Sequence, residues 1–527
     1  MDDKLAKERR LFEKAPVLKA VLTLAIPSIL GQLILVIYNL ADTVFIGLAA
    51  DNAYFVDNGL RTALISGVTI CLPIYMLLTA ISNLFGIGAA SVMSRSMAKN
   101  NMGRTKNAFR FAFWACLFAS IIYCTGMLFA RKYIALFLSG GGDADPNAIK
   151  FASDYILYCV VIFGIPTTLN TLFSHLLRAQ GKSLHASIGI MLGGILNVAL
   201  DPLFMFAIFN IKDAAIAAAL ATGISNTIAL LYYVVLFIVK RKNIVFSFHF
   251  KAKMFGYGLP GEVMIIGLPA CLMTLCENVS NMILDNLIGS VLVGAQGTAA
   301  LAGIGVAKKV NMFAHSIVRG MTQGVLPLIG YNKSSGDRKR MAKVVYTSGA
   351  ISLGIAALSL TVSLLFAYQL SELFTRDSDA LGYAAEFLKI LCIGAPFSAI
   401  GYTVISFFQA VGKAWRSLIL ALLRKGILDI PLMYIFYAVA HNNGNFGADL
   451  IVWATPIADI VCCLTALVLF FLYLKKNGSN RFPEVVPIEE PQMNNTVLEN
   501  SEGQETLEAS PELVSRPENY SKLVFAN

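Results

Sequence analysis

The chain has 527 residues, of which 57% are hydrophobic and only 14% charged, with a mean hydropathy of +0.67. A soluble protein of this length is excluded, because apolar runs near the ~20 residues that span a bilayer recur along most of it. The net charge of +10 sits in short loops between apolar runs, where Lys and Arg set topology, so it does not point to nucleic acid.

The first residues carry Lys4, Lys7, Arg9, Arg10 and Lys14, and an apolar run then extends from about Val17 to Gly47. That run is too long for a signal-peptide core and contains Asn39 and Asp42, so it is expected to stay as the first membrane helix. Further runs follow near 62–94, 108–139, 151–177, 184–209 and 214–239. After a basic, partly polar stretch come 262–289, 298–330, 343–371, 380–410, 414–440 and 448–474, which makes twelve, split six and six. The domain reading is a basic N-terminus (1–14), an amino lobe (15–240), a linker (241–260), a carboxy lobe (261–475) and an acidic tail (476–527). The tail, with Glu484, Glu489, Glu490 and six further glutamates, has no apolar periodicity and is expected to be disordered. One set of alternate loops carries about fourfold more Lys and Arg than the other, with Arg178 and Lys182 assigned to the richer set. The expected topology therefore puts both termini in the cytoplasm of a multi-pass plasma-membrane (inner-membrane) protein.

The halves echo each other. Asn39 and Gly47 follow Pro27 at the distances at which Asn281 and Gly289 follow Pro269. Later, Phe-Gly-Ile-Pro166 with Ala-Gln-Gly181-Lys182 is matched by Ile-Gly-Ala-Pro396 with Ala-Val-Gly412-Lys413. Two six-helix copies in the same orientation imply a pseudo-twofold axis along the membrane normal and a transport path between them.

The residues richest in chemistry are Asn197 and Asp201, one helical turn apart and followed by Pro202, in a segment otherwise of Ile, Leu, Gly, Phe and Met. The i, i+4 spacing puts amide and carboxylate on one face, and the proline frees a nearby carbonyl. An ionisable group near the bilayer centre costs roughly 2.5–3.5 kcal/mol on insertion scales, so it belongs on a cavity or ion path. The alternative is an aspartate at the membrane interface. The nine cysteines and five histidines show no ligand spacing, so neither disulfides nor a metal centre is indicated. A nucleophile with its base, or a paired acidic loop motif, is also missing, which argues against a membrane-embedded enzyme.

Four segments in this order resemble the multidrug and toxic compound extrusion (MATE) transporters, in particular their bacterial members, over residues 15 to about 475: Ala25-Ile-Pro27 through Tyr38-Asn39-Leu-Ala-Asp42 to Gly47; Leu177-Arg178-Ala-Gln-Gly181-Lys182; Asn197 to Phe204; and Gln323-Gly-Val-Leu-Pro327 to Asn332. The resemblance implies an all-α membrane fold of twelve helices in two V-shaped lobes. It also implies a monomeric antiporter without cofactor, exporting organic cations in exchange for Na+ or H+ by alternating access. Carried over by position, Asp42, Asn197, Asp201 and Thr222 resemble the amino-lobe cation site, and Tyr155 with Asn170 the polar pair leading to it. These hard oxygens suit Na+, and two facing carboxylates can share a proton. Pro27 resembles the proline at which the first helix bends; read from the residue alone it is a kink. Glu277 resembles a glutamate that another branch uses for cations or substrate, but the tenth run has no acidic residue to complete that site. Asp285 and Asp429 are further secondary positions, Asp429 preceding Pro431 much as Asp201 precedes Pro202. Arg319 and Asp459 either pair across helices or line the cavity, while Arg424 and Lys425 either snorkel or bind Asp429. A second reading is a flippase for a lipid-linked saccharide, whose phosphate calls for Arg or Lys in the cavity.

Overall fold

A computed structural model describes residues 10–138, 145–241, 243–256, 258–292, 294–375, 377–443 and 447–478. The residues before Arg10, Arg376 and the acidic segment beyond 478 lie outside these. Each apolar run becomes a helical stretch. We label them α1 (Val17–Ala50), α2 (Arg61–Ala98), α3 (Met102–Leu138), α4 (Pro146–Ile162 with Gly164–Ala179), α5 (Ser183–Ile208) and α6 (Ile211–Val239). The second half supplies α7 (Leu259–Val291), α8 (Ala295–Ser334), α9 (Arg338–Leu365), α10 (Ser378–Ile393 with Ala395–Ala410), α11 (414–443) and α12 (Asp449–Lys476). Helix is the expected outcome, since a spanning segment must pair its own backbone groups in lipid. Among the described residues eight helices are long and apolar enough to cross a membrane, or ten if each bent pair is one span. The remaining two, α8 and α11, fall short in apolarity because they carry Lys308, Lys309 and Arg319, and Arg416, Arg424, Lys425 and Asp429.

The echoed motifs have a backbone cause. Pro166 and Pro396 stand in the first turn of the second segments of α4 and α10, where a missing N–H costs little, and the two pairs bend by 52° and 44°. Gly181 and Gly412 adopt φ of 76° and 77°, the left-handed turn that ends α4 and α10. Lys182 N–H then bonds Leu177 O, and Lys413 N–H bonds Phe408 O, in the same reverse turn. Pro27 behaves differently: α1 runs through it as one 34-residue helix.

The lobes meet along two equivalent crossings, α1 with α8 and α2 with α7. Glycines allow both. A Cβ on Gly324 would lie 2.8 Å from the Ala25 Cα, and Gly88 and Gly267 press against the Val263 and Leu84 carbonyls. Polar contacts add to this at the basic end of the bundle, where Glu262 of α7 pairs with Arg95 (3.0 Å) and Arg104. There Phe12, 2% exposed, stacks on Tyr331 of α8 at 5.0 Å and packs against Gly181, so one side chain touches both lobes. Arg340 donates to the Phe12 carbonyl (2.8 Å) and Tyr331 to the Glu13 carboxylate (2.6 Å).

Candidate functional site

Asn197 and Asp201 share the buried face of α5, at 2% and 0% exposure. The Asn197 amide donates to Asp201 Oδ1 (3.3 Å) and to Thr222 Oγ1 of α6 (3.1 Å). Immediately after Pro202, α5 widens into a six-residue π-helical turn, Leu203–Ile208, where the proline's missing donor disturbs the ladder. Asp42 of α1 approaches closely enough to interact electrostatically with Asp201. The structure thus gathers Asp42, Asn197, Asp201 and Thr222 from three helices.

Their unsatisfied atoms are all acceptors. Asp42 Oδ1, Asp201 Oδ2 and Asn197 Oδ1 are buried without a donor among the described residues. Neither carboxylate has a basic partner among the described residues. Buried oxygens of this kind call for a cation or a proton, because only a positive charge or a donor compensates them. Among the described residues no group of three or more His, Cys, Asp or Glu forms a metal cluster. A mixed set of two carboxylates, an amide and a hydroxyl suits a hard monovalent ion instead.

A polar chain leads away from this site. Asn226, one turn after Thr222, donates to the Thr222 carbonyl (2.9 Å) and reaches the Tyr75 hydroxyl (3.5 Å). Asn170 of α4 donates to Asn226 Oδ1 at 3.0 Å. Tyr38 meets Tyr75 beside it. Tyr155 is buried within the first α4 segment, just before its π-helical stretch Ile156–Ile162, and contacts Cys159, and the bend at Phe163 separates it from Asn170. Among the described residues no hydrogen bond joins those two. Asn226 and Tyr75 were missed from the sequence, although the i, i+4 spacing of Thr222 and Asn226 is the same signal that marked Asn197 and Asp201.

The carboxy lobe is built differently. Glu277 forms an ion pair with Arg319 of α8, not with its neighbour Asn278, and Asp285 pairs with Lys308. Arg424 and Asp459 are 2.6 Å apart and 1–2% exposed, and Lys425 holds Asp429 at 2.9 Å. Asp429 also accepts from Ser280 (2.6 Å) and Thr455 (2.9 Å). Arg424 lies 4.1 Å from the centre of the Tyr402 ring, with Arg319 at 5.7 Å. The secondary acidic positions are therefore each neutralised by a base. Between the lobes lies a cavity of about 80 Å³ lined by α2, α4, α7, α8 and α10, with Glu277, Arg319 and Gln323 on its wall. All nine cysteines are unbridged.

Two homologous helical lobes, buried carboxylates and an interlobe cavity define a membrane transporter. The chain belongs to the MatE family, whose profile matches residues 27–203 and 269–435, two segments that start at the paired Pro27 and Pro269. It is similar to the multidrug export protein MepA of Staphylococcus saprophyticus, with 28% identity over 88% of this chain and 95% of that protein. The protein of the same name from Staphylococcus haemolyticus is 29% identical over 88% and 95%. Among solved structures, an outward-facing multidrug resistance MATE family transporter superposes with a TM-score of 0.76 at 20% identity, covering 89% of this chain and 98% of that one. A MATE protein in its bent conformation gives 0.73 at 21% identity, over 89% and 99%. At these identities the likeness shows the fold, with its two lobes. The family is one of transporters and not of enzymes.

Proposed function

We propose that the protein is a multidrug efflux transporter that exports organic, mostly cationic compounds in exchange for Na+ or H+, coupled through the amino lobe. The observation that carries this reading is the set of acceptor-only oxygens at Asp42, Asn197 and Asp201, which no basic residue among the described ones neutralises. A cation bound there compensates two carboxylates, and protons do the same one at a time. Either state changes the charge held among α1, α5 and α6, and α1 is also a main contact with α8 of the other lobe. Occupancy of the site is thereby linked to the seam between the lobes. The polar chain Thr222–Asn226–Asn170 supplies a route for protons or water toward the α4 bend. We place the chain as a monomer in the plasma membrane, with both termini in the cytoplasm.

The test is transport in proteoliposomes with a Na+ gradient and a pH gradient imposed separately. Export of a cationic dye is expected to follow one of them, and Asp42→Asn is expected to abolish that dependence. Gradient-independent export by the unaltered protein, or normal coupling in Asp42→Asn, would overturn the assignment.

The flippase reading draws support from one observation only, the presence of arginine on the cavity wall. The match to export proteins over nearly their whole length favours efflux.

A further inference from the structure

The interlobe cavity has an orphan of opposite sign to the coupling site. Arg178, in the last turn of the second α4 segment, is 2% exposed and lines the cavity. Its Nη1 donates to Ser174 Oγ at 3.3 Å, while its Nε and Nη2 are buried with no acceptor among the described residues. Arg319, across the cavity in α8, spends one nitrogen on Glu277 and leaves its Nε equally unpartnered. Every unsatisfied guanidinium atom on this wall is therefore a donor. The end of its own helix partly compensates Arg178, but that effect is small against the cost of burying an unpaired charge.

The formal charges agree. On the cavity wall Glu277 answers Arg319, and Arg178 has no carboxylate among the described residues. Behind Arg319, the buried Arg424 and Lys425 are matched by Asp459 and Asp429. The polar neighbours of Arg178 are themselves engaged: His175 Nε2 lies 3.1 Å from Asn83 Oδ1, and Asn83 donates to Thr274 of the other lobe at 3.0 Å. Among the described residues one positive charge is left on the lining of the space between the lobes.

We infer that Arg178, with Arg319 opposite, forms a subsite for a compact oxyanion, the carboxylate or phosphate of the transported compound. This rests on the export reading and deepens it: favoured substrates carry an anionic group beside their cationic or aromatic body. A planar guanidinium with two free donors matches an oxyanion in the way a lone ammonium does not.

Two dyes with one chromophore separate the ideas. Rhodamine 110 has a free carboxylate, and rhodamine 123 is its methyl ester. Fluorescence anisotropy with the purified full-length protein is expected to give the acid at least about tenfold tighter binding than the ester, the scale of one charge-assisted contact. Arg178→Gln is expected to erase that preference, and Arg178→Lys to retain part of it. Because the acid-to-ester comparison is made on the unaltered protein, a poorly folding variant does not blunt the test. Competition by dihexanoyl phosphatidate and by benzoate, each against rhodamine 110, identifies the source of the anion by which displaces at lower concentration. Equal binding of the two dyes, displacement by neither competitor, or a preference that survives in Arg178→Gln would overturn the subsite while leaving cation export standing. Failure to bind either dye would remove the export reading as well.

Discussion

Neutralising one buried aspartate in each lobe is expected to have unequal consequences for stability. Asp459→Asn leaves the Arg424 guanidinium, 1% exposed, without the carboxylate that sits 2.6 Å from its Nε. Breaking one side of a buried pair costs about 3–5 kcal/mol. The Tyr402 ring at 4.1 Å continues to hold the cation, which favours the lower end, about 3 kcal/mol. Asp201→Asn removes a buried charge that has no basic partner. It keeps an acceptor for the long 3.3 Å contact from Asn197, so the fold should change by no more than about 1 kcal/mol in either direction. The assay is thermal unfolding of both purified variants in detergent, with and without Na+, followed by tryptophan fluorescence. Asp459→Asn should unfold well below the unaltered protein in either buffer. Asp201→Asn should unfold close to it without Na+, and should not respond to added Na+. If Na+ is the coupling ion, the unaltered protein gains RT ln(1 + [Na+]/Kd), about 2.7 kcal/mol at a hundredfold excess over Kd. Destabilisation of Asp201→Asn as large as that of Asp459→Asn would show instead that Asp201 is as fully paired as Asp459.

Three further outcomes follow from named contacts. Phe12→Ala removes the ring that touches both lobes at the basic end, a loss of about 3–5 kcal/mol to the joined state; spin labels at Lys182 and Ser335 should then show a longer-distance population, and an unchanged distribution would refute the role. Gly324→Leu forces a branched side chain where even a Cβ lies 2.8 Å from the Ala25 Cα, so membrane insertion should persist while transport stops; normal transport would show that α1 and α8 need not approach so closely. Glu277→Gln leaves Arg319 uncompensated on the cavity wall, so binding of monocationic rhodamine 123 should weaken about tenfold, and unchanged or tighter binding would remove Glu277 from substrate recognition.

Much of the fold was legible because a bilayer leaves few alternatives. Runs near spanning length become helices, and two helices fall short of the simple apolar criterion because they carry charges, several of which, such as Arg319, Arg424 and Lys425, pair inside the bundle. The proposed coupling site was legible in part. Asn197 and Asp201 declare themselves by i, i+4 spacing within one helix, whereas Asp42 and Thr222 came from resemblance, since nothing local says which helices face each other. Asn226 was overlooked although it sits one turn from Thr222, because an asparagine in an alanine-rich helix has a bland reading until a partner appears. Arg178 was the clearest misplacement. Its position beside Gly181-Lys182 reads as loop, yet the left-handed turn begins only after Gln180, so the arginine completes the helix and is buried. Ion pairs such as Arg424 with Asp459, 35 residues apart, have no sequence period at all.

The two lobes share a backbone plan and differ in where charge is left over. Both have a bent fourth element, a left-handed glycine turn after it, and a π-helical turn in the next: Leu203–Ile208 just after Asp201 and Pro202, and Leu423–Ile427 just before Asp429 and Pro431. At that equivalent place the amino lobe leaves acceptors open, and the carboxy lobe supplies Lys425, Ser280 and Thr455 to close them. An aspartate satisfied by three donors has no need of an ion and gains little from one, so its lobe keeps the same charge through a transport cycle. An aspartate with an open oxygen takes up whatever positive charge reaches it, and its lobe changes charge with occupancy. The proposed coupling in one lobe, and a fixed electrostatic wall in the other, then follow from one duplicated fold, with the asymmetry written into a few side chains.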